Sequence, residues 1–153
     1  MFKLISYLIN LNAALAKKAR SEIAYNEALA FYTAKDHKQA LPLMAESAEL
    51  GHPQAMCMLG TMYLLGEGVK ENGLAAIKWL QASMDHGFEG AISILGMAYA
   101  TWKAVVKIDI PKAQELLTYC AERGEQKSAD MLRMIENGEG MFRNLKKVGK
   151  KPR

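Results

Sequence analysis

The chain has 153 residues, 50% of them hydrophobic and 24% charged, which is enough apolar material to bury the core of one domain and argues against a disordered polymer. Its net charge of +4 sits at one end. Six of the eleven residues from Arg143 to Arg153 are Lys or Arg, and the remainder carries 14 basic against 16 acidic residues, which argues against a phosphate-tracking groove along the body.

Two readings of the first twenty residues stand. Leu4, Leu8, Leu11 and Leu15, with Ile5 beside them, share one helical face and predict an amphipathic helix from about Leu4 to Lys18 that docks on the array, as a cap on the first unit or in its groove. Alternatively, Met1-Phe2-Lys3 and the apolar run after it form a short secretory n- and h-region, with cleavage after Ala16 in Ala14-x-Ala16. Asn10 and Asn12 dilute that run, which is too short to span a bilayer. Ser21 then reads as an N-cap, although Ser21-x-x-Ala24 lacks the Glu of a full capping box. Helices are expected over Ile23–Thr33 and Lys38–Leu50, joined by the turn Lys35-Asp36-His37 and stopped by Gly51-His52-Pro53. The next pair runs from Gln54 to Leu65 and from Asn72 to Asp85 around Gly66-Glu67-Gly68-Val69. A third covers Glu89–Thr101 and Ile110–Arg123, and a last helix, Lys127–Glu136, ends at Asn137-Gly138-Glu139-Gly140. The basic end reads as a solvated tail.

These segments repeat. Leu59-Gly60-x-x-Tyr63 returns 36 positions later as Leu95-Gly96-x-x-Tyr99, Ala76 returns as Ala113, and Ala40 and Gly51 precede Ala76 and Gly87 by 36. A period in the thirties with helical spacing inside each unit means stacked helix pairs. The predicted fold is an all-α superhelix (solenoid) of about three helix-pair repeats, with an extra N-terminal helix (1–20), a repeat domain (21–140) closed by a terminal capping helix, and a tail (141–153). Gly60, Gly96, Ala76 and Ala113 mark close helix approach. Tyr63 and Tyr99 plug the wedge between helices, and Leu59, Leu80, Leu95 and Leu117 fill the core.

Leu59-Gly60, Tyr63, Gly66-x-Gly68-Val69, Ala76, Trp79 and Gly87 together resemble the Sel-one-like repeat (SLR) family, relatives of the tetratricopeptide repeats, and the likeness extends from about Ser21 to Gly140. The first unit departs through Ala28, Phe31 and Ala40 at tetratricopeptide-like spacing. The third replaces the glycine loop with Trp102-Lys103-Ala104-Val105-Val106-Lys107-Ile108-Asp109. The resemblance implies protein–protein scaffolding: adaptors, regulators of signalling, and bacterial proteins that meet secreted effectors or toxins. It does not imply catalysis.

The residues themselves also offer no catalytic, cofactor or metal site. No nucleophile elbow or metal-protease helix occurs, and Gly66-x-Gly68 follows a helix rather than the strand a phosphate loop needs. His37, His52 and His86 are expected as solvated turn residues without the four converging ligands of a zinc site. Cys57 and Cys120 are too few for a disulfide framework and read as buried thiols in a reducing compartment. The candidate site is the concave face lined by the first helix of each pair: Tyr25, Leu29 and Tyr32, then Cys57, Thr61 and Leu64, then Ser93, Met97, Met131 and Ile135. Trp102 is expected as a second contact. The chain is therefore expected to be a non-catalytic, bacterial, cytoplasmic module that binds a partner protein (a helix, peptide or toxin domain), with toxin-neutralising immunity as the specific form the resemblance suggests. The alternative is a secreted or periplasmic adaptor or regulator of signalling. Nucleic acid is not expected as a partner, because only the tail is basic.

Overall fold

The computed structural model describes residues 2–101 and 109–139. Among these, seven helices and no strand occur: α1 (Phe2–Thr33), α2 (His37–Glu49), α3 (Pro53–Leu65), α4 (Gly73–Asp85), α5 (Gly90–Thr101), α6 (Ile110–Ala121) and α7 (Gln126–Asn137). From α2 onward each helix ends within two residues of its sequence-based expectation. The Trp102 loop and the basic tail lie outside the described residues. The helices form two compact units, Met1–Phe88 and Glu89–Arg153.

In the first unit the two helices expected before Lys35 are one helix of 32 residues. Nothing between Lys17 and Glu22 breaks a helix, and Ala, Lys and Arg there are strong helix formers. Ser21 is therefore not an N-cap: it is buried mid-helix, and its Oγ donates to the Lys18 carbonyl at 2.8 Å. The helix ends at Thr33; Lys35 in the turn after it takes a left-handed φ of 64°, and Asp36 caps α2 by accepting from Gln39 N. α2 then folds back on the C-terminal half of α1. α3 starts at His52-Pro53, where proline occupies a first-turn position that needs no N–H. Residues 3–20 are exposed at every position, so the leucines expected to dock stand in solvent.

The core of this unit is built from small and flexible residues: Ala28, Ala40, Met44, Ala48, Ala55, Met56, Leu59 and Met62. Their size sets the helix spacing. A Cβ on Gly60 would stand 2.8 Å from Leu80 Cγ and 3.1 Å from the Ala76 carbonyl, which is the close approach expected from the sequence. Helices are also tied by buried hydroxyls. Ser47 Oγ donates to the Ser21 carbonyl and, 36 residues later, Ser83 Oγ donates to the Pro53 carbonyl, both at 2.7 Å. Each fastens the second helix of a pair to the first turns of a repeat.

The second unit repeats the pairing. Gly96 lies against Leu117, with Cγ 3.0 Å from where a Cβ would be. α7 closes the unit against Ala100, Ala113 and Leu117 through Ile135, with Met131, Leu132 and Met134 packed around it.

Candidate partner-docking surface

Tyr25, Leu29 and Tyr32 follow one seam of α1 at i, i+4 and i+7, and all three are half-buried. Residues that follow α2 hold both rings. Tyr25 stacks on His52, with centroids 4.3 Å apart and planes 22° from parallel. His52 is buried, not solvated as expected. Its Nδ1 accepts from Ala55 N at 3.3 Å as the cap of α3, and its Nε2 lies 3.2 Å from Glu22 Oε2. With Nδ1 accepting, the ring proton belongs on Nε2, facing the Glu22 carboxylate. Burial, with Cys57 and Glu22 nearby, holds the Tyr25 phenol above its ordinary value.

Tyr32 is held at the other end of the seam. Its hydroxyl donates to Glu67 Oε2 at 2.7 Å, and its ring meets His37 edge-on at 4.9 Å. Burial first, and then this bond to a carboxylate, pushes the phenol up to about 12. Glu67 lies within the glycine loop, and the neighbouring Gly68 explains the motif: it takes φ +71°, and a Cβ there would overlap the His37 carbonyl oxygen. Gly66-x-Gly68 thus seats the loop of one repeat on the turn of the one before it.

The α3 positions contribute less surface. Cys57 and Leu64 are buried, and burial pushes the Cys57 thiol up to about 11. Thr61 is half-buried, its Oγ1 donating to the Cys57 carbonyl at 3.0 Å. In the second unit Met97 and Met131 are half-buried beside the Ala100–Leu117 core, while Ser93 and Ile135 are buried. Trp102, the expected second contact, lies outside the described residues. His86 is exposed as expected. His37 is half-buried, and its Nδ1 has no hydrogen-bond partner among the described residues.

Sequence reasoning missed the His52 cap and the Ser47 and Ser83 ties. The signals were present: His52 stands directly before a first-turn proline, where a capping side chain belongs, and the two serines are one period apart.

This architecture of short antiparallel pairs, glycine contact and glycine loop recurs in known proteins. Residues 21–52 and 53–88 each match the Sel1 repeat model. The chain carries two Sel1 repeats. The first match begins at Ser21, in the middle of α1, and the second stops at Phe88, so the helix pair without the glycine loop falls outside it. Two solved Sel1-type structures are similar to this Sel1-repeat chain. A protective antigen of uropathogenic Escherichia coli strains, displaying an SLR fold, aligns with a TM-score of 0.68 at 29% identity over 81% of this chain. The chain spans about a quarter of that protein, 27% of its length. A Sel1 repeat protein from Oxalobacter formigenes aligns with a TM-score of 0.61 at 23% identity, covering 81% of this chain and 97% of that one, and shares the fold. No curated protein matches the sequence. Sel1 repeats are typically protein-interaction scaffolds.

Proposed function

We propose that this Sel1-repeat chain is a non-catalytic module that docks a partner protein on the Tyr25–Leu29–Tyr32 seam of α1, with Thr61 of α3 as a further contact. The observation that carries this reading is the immobilisation of two half-exposed tyrosine rings, one by the His52 stack and one by the Glu67 hydrogen bond. A rigid aromatic pair flanking an aliphatic side chain loses little entropy on binding, and such residues anchor protein interfaces. The ligand class is a helix or extended peptide with apolar side chains at matching spacing. A bacterial toxin is the partner that the resemblance suggests, and no residue of the chain selects it over another protein.

Capture from a lysate of the native host tests the reading. Leu29→Glu places a charge at the centre of the seam and touches neither ring's anchor. A partner retained by the wild-type chain and lost by an equally folded Leu29→Glu variant supports the seam. A partner held equally by both places the docking surface elsewhere.

A further inference from the structure

We propose that the N-terminal half of α1 lies on an anionic phospholipid surface, independently of the docking seam. Leu4, Ile5, Tyr7, Leu8, Ile9, Leu11 and Leu15 are all strongly exposed, Leu4, Tyr7 and Ile9 by more than 60%. Helical spacing gathers them on one side. Leu4, Leu8, Leu11 and Leu15 form the centre line, with Ile5 and Ile9 on one flank and Tyr7 on the other, an arc of about half the circumference.

The direction of that arc decides its use. The opposite face carries Lys3, Ser6, Asn10 and Lys17, and the same steps of three and four lead from it into Ser21, Ala24 and Ala28, the buried residues of α1. The centre of the apolar face and its isoleucine flank therefore point away from the repeat body. Another repeat stacked on the body side would meet lysine and asparagine, so the leucines are not the bare end of a solenoid core. Beyond Ser21 the centre of the outward face turns polar and acidic through Glu22, Asn26 and Glu27, while Ile23 stays exposed in line with Ile5, and Tyr25 and Leu29, in line with Tyr7 and Leu11, are half-buried.

Charge identifies the occupant. From Phe2 to Ser21 the chain has four cations, Lys3, Lys17, Lys18 and Arg20, and no acid. Arg20 is already paired with Glu46 at 2.6 Å, which leaves the three lysines for an external anion. A second copy is a poor fit, because any pairing of two such helices sets cations together without a carboxylate, and the leucine seam runs for only two heptads. The apolar arc is also wider than a coiled-coil seam. No described helix is long and apolar enough to cross a membrane. A helix with a broad apolar face, lysines on its polar side and at its end, and Asn12 within the apolar arc suits the headgroup–acyl boundary of an anionic bilayer.

Flotation of the full chain with phosphatidylglycerol–phosphatidylcholine vesicles, against pure phosphatidylcholine vesicles, tests this. The wild-type chain is expected to float with the anionic vesicles and at least tenfold less with the neutral ones, with salt weakening the binding. Leu8→Asp/Leu11→Asp, at exposed positions where the thermal midpoint should hold, is expected to reduce partitioning at least tenfold. Lys17→Gln/Lys18→Gln should reduce it about fivefold per lysine on the anionic vesicles alone. Absence of binding to either vesicle, equal binding to both, or a Leu8→Asp/Leu11→Asp chain that still floats would overturn the proposal. So would light scattering that shows a dimer abolished by those aspartates, or a native protein found cleaved after Ala16.

Discussion

Gly68→Ala, read against Gly51→Ala, tests the claim that the glycine loop of one repeat is seated on the turn of the preceding one. Both glycines take positive φ, +71° and +98°, so both substitutions carry the left-handed backbone penalty of about 1–2 kcal/mol. Their surroundings differ. A Cβ at Gly51 meets nothing within 4 Å, whereas one at Gly68 overlaps the His37 carbonyl, a backbone atom that cannot rotate aside. Pushing the loop off that carbonyl adds about 1–3 kcal/mol of overpacking strain. It also pulls Glu67 away from the Tyr32 hydroxyl, 2.7 Å away in the native state. Gly51→Ala should therefore cost about 1–2 kcal/mol and Gly68→Ala about 2–5. In urea unfolding followed by far-UV circular dichroism, with a slope of about 2 kcal/mol per M, the two midpoints should differ by about 1 M. Equal midpoints would refute the loop-seating argument, because the backbone penalty alone would then account for both.

Three further outcomes follow from the same joints. Tyr32→Phe should cost about 1 kcal/mol at neutral pH, allowing for solvent screening at a half-exposed ring. The folded-state phenol titrates near 12, above its ordinary 10, so this stabilisation is complete below 10 and disappears as pH rises toward 12. The gap between wild type and variant in alkaline melts should close over that window. His52→Leu removes the acceptor from Ala55 N and should cost about 1 kcal/mol more than His52→Asn, which keeps a capping oxygen, as compared by denaturant midpoints. With its thiol near 11, folded Cys57 is about one part in a thousand thiolate at about pH 8, so a disulfide reagent should label it slowly in buffer and promptly in denaturant.

What was legible in the sequence is what depends on local pattern. Gly60 and Gly96 announced close helix approach because only a missing side chain admits Leu80 or Leu117 at that distance. The helix ends were marked by side chains that act within three residues, such as Asp36 on Gln39 and Asn72 on Ala75. The start of the first repeat was not legible, because the repeat boundary at Ser21 is no boundary of the backbone: the chain stays helical through it. His52 was misread for a related reason. Its burial depends on Tyr25 and Glu22, about 30 positions earlier, and proximity of that kind leaves no periodic trace. The expected docking residues divided in the same way. Helical spacing placed Tyr25, Leu29 and Tyr32 correctly on one seam, but the exposure of α3 residues depends on neighbouring helices, and there Leu64 and Cys57 turned inward.

Hydrogen exchange of the full chain, with and without the partner captured from its native host, tests the docking claim most directly. New protection is expected to centre on the Tyr25–Thr33 segment and around Thr61, with residues 4–15 unchanged in the absence of lipid. Protection confined to α2 and α4, or to the basic tail, with the Tyr25–Thr33 amides unchanged, would contradict it.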